Sequence, residues 1–182
     1  IGGGMANTFL YAQGHDVGAS YCEKDLAETA REIIRLAGQN NCKLFLPIDI
    51  VVAEQMAAGV PTRVRALGNV DDHERILDAG PETVARLKRA MANSKTLIWN
   101  GPLGVFEIPP FDKGTVEAAK EAARLAKEGK LVAVAGGGDT VSALVLLGTS
   151  ESVILDRCDG STPFVVRQCD LGDVRVFDLS GD

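Results

Sequence analysis

Histidine and cysteine are too few and too scattered in this chain to build a metal or redox centre. The two histidines, His15 and His73, stand alone, and Cys22, Cys42, Cys158 and Cys169 show no C-x-x-C spacing. Such cysteines read as reduced thiols, most of them core filler, which excludes a disulfide frame and a zinc site. Excess positive charge is also missing: 19 Lys+Arg against 25 Asp+Glu leave a formal net charge of −6. A surface of that balance does not gather phosphate backbones, so nucleic acid is excluded as the main partner. No run approaches the ~20 apolar residues of a membrane helix, and no basic start leads into an apolar signal segment. The expectation is a cytoplasmic protein with no membrane partner. G-x-x-x-x-G-K-[ST] is absent, no G-x-G-x-x-G with a later ribose acid fits, and Ser20, Ser94 and Ser142 show no nucleophile elbow.

What is present suits one folded domain. Of the 182 residues, 46% are hydrophobic and 24% charged, close to the average for a globular chain, so disorder by composition is excluded. Glycine reaches 20 and forms two runs, Gly2-Gly3-Gly4 and Gly136-Gly137-Gly138. The chain opens on Ile1 directly before the first run, and reads as part of a longer polypeptide.

Hydrophobic spacing predicts a helix from Met5 toward a stop at Gly14. A second, amphipathic helix is predicted over residues 24–37, with Leu26, Ala30, Ile33, Ile34 and Ala37 on its apolar face and Gly38 at its end. Residues 43–47 and 48–53 read as strands. A helix starts at Pro81, where proline suits the first position. Residues 96–99 form a strand, Thr115 caps an alanine-rich helix to Lys127, and residues 131–135 form an apolar strand. A further helix is expected from Thr140 to Leu147. Apolar strands alternating with amphipathic helices indicate an α/β fold: a Rossmann-like, doubly wound parallel sheet with helices on both faces, incomplete at both ends. Residues 1–150 carry this pattern. Residues 151–182, with possible strands at 163–167 and 174–177, do not continue it.

Two motifs carry chemistry. In Gly136-Gly137-Gly138-Asp139-Thr140, between a strand and a helix, residues without Cβ let a phosphate approach backbone N–H groups. A carboxylate in such a loop fits if Asp139 reaches a Mg²⁺ carried by the phosphates; a tight turn with a capping aspartate is the plainer alternative. The second motif is Trp99-Asn100-Gly101-Pro102-Leu103-Gly104-Val105-Phe106-Glu107. Val105 and Phe106 could lie near a flat base and Glu107 accept ribose hydroxyls, or Phe106 could be core and Glu107 merely solvated. Both motifs should lie at one edge of the sheet.

These segments, with Leu46-Pro47-Ile48-Asp49 and Ile76-Leu77-Asp78-Ala79-Gly80-Pro81 between the glycine runs, resemble the C-terminal nucleotide-binding domain of phosphoglycerate kinase, in family order up to about Gly148. The resemblance implies reversible phosphoryl transfer between 1,3-bisphosphoglycerate and ADP, giving 3-phosphoglycerate and Mg-ATP. Carried over by motif, Gly2, Gly3, Gly4, Gly80, Asn100, Gly101 and Leu103 resemble the walls of the nucleoside pocket, and Glu107 the ribose ligand. Gly137, Gly138, Asp139 and Thr140 resemble the phosphate loop, with Gly137 and Gly138 at the transferred group and Asp139 on Mg²⁺. The family's N-terminal domain, which binds the phosphoglycerate, and the lysine reaching the nucleotide phosphates have no counterpart in these residues. The parent enzyme is expected to be a monomer, and this chain alone to be inactive.

The Ser-Thr-Gly-Gly-Gly-like loop that the family places near the end has no counterpart either. Leu155-Asp156-Arg157-Cys158 can be encoded by CTC GAC CGG TGC, and reading one base later gives Ser-Thr-Gly. A frameshift is therefore the expected origin of the tail, and the coding DNA tests it. A non-catalytic nucleotide-binding or interaction module of the same fold is the alternative function; an unrelated NAD-type domain is disfavoured by the missing fingerprint.

Overall fold

The computed structural model describes residues 1–136 and the backbone of 154–156. The elements in chain order are α1 (Gly3–Ala12), a 3₁₀ turn (Lys24–Leu26), α2 (Ala27–Gln39), β1 (Asp49–Ala53), β2 (Arg63–Ala66), β3 (Arg75–Ala79), α3 (Pro81–Ala92), β4 (Thr96–Asn100), α4 (Lys113–Lys127), β5 (Val132–Gly136) and β6 (Ile154–Asp156). The strands form two three-stranded sheets, β4-β5-β6 and β2-β1-β3. The first is parallel, as the alternation of apolar strands and helices requires. The fold is α/β.

Alternation along β4 and β5 decides how that sheet is covered. Trp99, Ala133 and Ala135 are buried against Ala118, Ala119, Ala122, Leu125 and Ala126 of α4. Small residues on the helix let it sit close to the sheet, and Trp99 is the largest side chain buried there. Ile98 and Val132, one position out of phase, point to the other face and stay 78% and 55% exposed. The remaining helices pair off: α1 packs on α2 and α3 on α4.

The second sheet was not foreseen in type. The β-branched run at 48–53 forms a strand, but β1 pairs antiparallel with both β2 and β3. Glu74 lies fully buried beside it, with Arg63 Nη1 at 2.9 Å and Arg65 Nη2 at 3.0 Å from its Oε1. Those guanidiniums and the Asp71 N–H outweigh burial and hold the carboxyl down at about 2.

Four local expectations need correction. Residues 43–47 join no ladder among the described residues, although the Ile1 ammonium donates to Phe45 O at 2.9 Å. The α-helix starts at Ala27 after the 3₁₀ turn, and Leu26 and Ile33 are exposed; its buried face is Ala27, Ala30 and Ala37, with Ile34 half-buried. It also runs past Gly38, which is helical, so Gly38 does not stop it. Thr115 is not the cap of α4: the helix begins two residues earlier, after Asp112, and the Thr115 hydroxyl instead accepts the Leu103 N–H at 3.0 Å.

The parallel sheet continues into residues 154–156, inside the segment that sequence sets apart. The predicted helix at 140–147, the strands at 163–167 and 174–177, and Gly137, Gly138, Asp139 and Thr140 lie outside the described residues.

Candidate functional site

Leu103 joins three segments. Its carbonyl accepts the Gly3 N–H at 3.1 Å, and its own N–H goes to Thr115 Oγ1 at 3.0 Å. The start of α1, the loop after β4 and the start of α4 therefore meet at one point. Neither helix carries an acidic residue in its first turn; at α4 the carboxyl group that faces the helix start comes from Asp78 on β3, whose Oδ2 accepts the Gly114 N–H.

The first glycine run is a matter of space and backbone. A Cβ on Gly2 would stand 2.9 Å from Leu103 Cδ2 and 3.0 Å from Leu103 Cα. Gly3 has φ 61, where a Cβ is strained. A Cβ on Gly4 would stand 2.7 Å from Tyr21 Cδ1. The run is thus walled by Leu103 on one side and by the Tyr21 ring on the other.

Tyr21 was missed in the sequence, because no spacing links it to the glycine run. Its ring is 70% exposed, yet its backbone is held. Asn7 Nδ2 donates to Tyr21 O at 3.0 Å, Cys22 Sγ donates to Asn7 O at 3.9 Å, and the Glu23 N–H donates to Thr8 Oγ1 at 3.1 Å. Asn7 and Thr8 are buried polar residues of α1, and this tether satisfies them.

The loop of residues 100–107 is stiff by its own bonds. The Trp99 indole donates to Gly101 O at 2.6 Å, the Val105 N–H to Leu77 O at 2.9 Å, and the Phe106 N–H to Gly104 O at 2.9 Å. The bond to β3 sets Val105, half-buried, against the apolar cluster of Ala53, Leu77 and Phe111. Phe106 is half-buried and Glu107 exposed.

Gly80 has a local reason to be glycine. It is the N-cap of α3, and a Cβ there would run into the Asp49 carboxyl group. That carboxylate accepts the N–H groups of Glu82 at 2.9 Å and Thr83 at 2.7 Å, and the Thr83 hydroxyl at 2.7 Å. In effect Asp49 caps α3 from β1.

The structure brings Gly2, Gly3, Gly4 and Leu103 together, with Asn100 and Gly101 next along the loop. In the parallel ladder Asn100 pairs with Gly136, the residue directly before Gly137. Gly137, Gly138, Asp139 and Thr140, including the expected metal ligand, fall outside the described residues.

Asp78, also missed, is the buried carboxylate behind the loop. It is 2% exposed; Oδ2 accepts the Gly114 N–H at 2.7 Å and Oδ1 the Ala79 N–H at 2.8 Å. Burial pushes its carboxyl up to about 7 against the pull of those two N–H groups. Elsewhere, His73 Nε2 lies 3.6 Å from Glu54 Oε1 in an exposed pair. Among the described residues no three His, Cys, Asp or Glu side chains group to hold a metal, and no helix is long and apolar enough to cross a membrane.

The comparisons with known proteins agree with one another. The family model for phosphoglycerate kinase matches residues 1–155. A phosphoglycerate kinase of Caulobacter vibrioides is 67% identical over 150 residues, covering 82% of this chain and 38% of its own length. One from Dinoroseobacter shibae is 56% identical over 151 residues, 83% of this chain and 38% of its own. Among solved structures, phosphoglycerate kinase from Coxiella burnetii superposes with a TM-score of 0.81 at 37% identity, covering 85% of this chain and 39% of that one. The chain spans about 38% of the length of the curated relatives it matches.

Proposed function

The chain belongs to the phosphoglycerate kinase family, and from that premise we propose that it is the Mg-ADP/ATP-binding portion of an enzyme moving a phosphoryl group between 1,3-bisphosphoglycerate and ADP. The products are 3-phosphoglycerate and ATP. The observation that carries the reading is the convergence on Leu103: Gly3 and Thr115 both bond to it, which sets a Cβ-free glycine run against the loop that leads to Glu107.

In this reading the purine lies along Gly2, Gly3 and Gly4 between Leu103 and the exposed ring of Tyr21. Asn100, Gly101 and Gly80 complete the walls, and Glu107 accepts the ribose hydroxyls. By motif, the backbone N–H groups of Gly137 and Gly138, with Thr140, would hold the phosphates; they follow Gly136 in the chain, and Gly136 pairs with Asn100. By motif, Asp139 would be the protein ligand of a magnesium ion carried by the phosphates, which would supply charge neutralisation. The residues themselves position and orient, which is most of what phosphoryl transfer asks of a protein. Glycine at Gly2 and Gly4 lets Leu103 and the Tyr21 ring pack directly on this backbone, since a Cβ would meet them at 2.9 and 2.7 Å.

The other substrate is bound, on this reading, by the family's N-terminal domain, which these 182 residues do not include. We expect the chain by itself to bind Mg-ADP and to form no ATP from 1,3-bisphosphoglycerate. Calorimetry and a coupled ATP assay test the two halves separately. Robust turnover overturns the inactivity, and absence of Mg-ADP binding overturns the nucleotide site. The family match runs to residue 155, five residues into the 151–182 segment that we read as a divergent tail. A coding sequence with no neighbouring frame resembling the family would remove the frameshift explanation.

A further inference from the structure

We propose that Asp78 is a positioning residue: its carboxylate fixes the loop of residues 100–107 against the start of α4 and so sets how tightly the chain holds a nucleotide. The consequence for nucleotide rests on the function proposed above; the effect on the loop does not.

The geometry starts from a helix without a cap of its own. The N-cap of α4, Asp112, makes no side-chain cap bond, so the first-turn N–H groups need an acceptor from elsewhere. Asp78 supplies it from β3: Oδ2 takes the Gly114 N–H at 2.7 Å while Oδ1 is occupied by the Ala79 N–H at 2.8 Å. Gly104 then lies directly on the carboxylate, since a Cβ there would strike Oδ1, with Leu77 O only 2.7 Å away. Gly114 meets the same carboxylate, 2.5 Å from where its Cβ would be. Two glycines in different elements are thus packed on one carboxyl group.

Three consecutive loop residues are fixed around this point. Leu103 bonds to Thr115 at 3.0 Å, Gly104 rests on Asp78, and Val105 bonds to Leu77 at 2.9 Å. Thr115 follows Gly114, so the Asp78 bond holds the very turn that receives Leu103. Leu103 in turn accepts Gly3, which carries the constraint to the glycine run. An apolar side chain of similar shape would avoid the cost of burying a carboxylate. It could not accept the Gly114 N–H, and the alignment of α4 with the loop would be left to packing alone.

The test uses the full chain with Asp78→Ala and Asp78→Asn. Ile50→Val and Ile50→Ala, fully buried in β1, serve as controls for a general loss of stability. One readout needs no nucleotide: Trp99 is the single tryptophan, and its indole bonds to Gly101 O at the base of the loop. Its emission should shift in Asp78→Ala, less in Asp78→Asn, and not in the controls. The second readout is the Kd for Mg-ADP at a temperature where all variants are folded. Losing a buried hydrogen bond predicts ~10-fold or weaker binding for Asp78→Ala, with Asp78→Asn in between because one acceptor oxygen remains.

Unchanged Trp99 emission overturns the positioning role. Shifted emission with unchanged affinity overturns its link to the nucleotide. Equal effects from Ile50 variants of matching Tm reduce Asp78 to general stability and overturn the proposal. Failure of the unmodified chain to bind Mg-ADP removes the function proposed above, and the emission alone then decides the role of Asp78 in the loop.

Discussion

Moving the pH from 6 to 8 should destabilise this protein through Asp78 alone by about 1.4 kcal/mol. In the unfolded chain an aspartate is ionised throughout that range, whereas in the fold burial has pushed the Asp78 carboxyl up to about 7. Asp112 at the start of α4 adds to the rise and Lys113 opposes it. A group whose folded value is raised stabilises the fold fully below its unfolded value, and that stability is lost as pH climbs through the folded value. Between pH 6 and 8 the proton is lost almost completely, which gives the ~1.4 kcal/mol. For a chain of this size that is roughly 3–6 °C in Tm. The Ile1 ammonium, lowered from 8.0 by burial, titrates with the opposite sign. The measurement is therefore the difference between wild type and Asp78→Asn, in which every other group cancels. Urea titrations at quarter-unit pH steps would show that difference shrinking as pH rises. A difference flat to within a few tenths of a kcal/mol would refute the reasoning, because it would mean the carboxyl ionises in the fold as it does in water.

Tyr21→Ala should weaken Mg-ADP binding by ~5-fold or more, as loss of a stacking face of about 1–3 kcal/mol predicts, with little change in Tm because the ring is 70% exposed; calorimetry beside a thermal melt checks both. Glu107→Ala should likewise lower nucleotide affinity at nearly constant Tm, and a large Tm loss would mark the residue as structural. Asp139→Ala should reduce affinity for Mg-ADP more than for ADP in EDTA, and equal losses would remove it from the metal. Glu74→Ala should act the other way, destabilising the antiparallel sheet toward the low end of ~3–5 kcal/mol, since both paired arginines keep some access to water, and leaving Mg-ADP affinity intact.

How far the sequence could be read follows from the range of the forces involved. The helices at Gly3 and Pro81 and the strands at Thr96 and Val132 come from local periodicity and turn chemistry, and these were legible within a residue or two; the start of the helix at Lys113 was placed three residues late. The antiparallel pairing of β1 was not, because an apolar β-branched strand reads the same in either kind of sheet. Ile33 carries the same lesson. It falls on the apolar stripe of α2 but stays exposed, because α1 offers contact only to the narrower face of Ala27, Ala30 and Ile34.

The site divides along the same line. Its glycines were visible because missing side chains leave a mark in the sequence itself. Asp49, Asp78 and Tyr21 were not singled out, since each acts on a residue of another element: Asp49 on Thr83, Asp78 on Gly114 and Tyr21 on Gly4. The two kinds of residue are physically linked. Backbone without Cβ can approach a ligand closely but has no side chain to anchor it, so Gly2, Gly3, Gly4 and Gly104 depend on neighbours for their position. The anchors are the polar groups buried behind them: Asn7 and Thr8 tether the Tyr21 segment, Thr115 takes Leu103, and Asp78 carries Gly104. Substituting an anchor should therefore loosen the loop from behind, whereas a Cβ on Gly2, Gly4 or Gly104 should displace Leu103, Tyr21 or Asp78 directly, because it would stand within 3 Å of them.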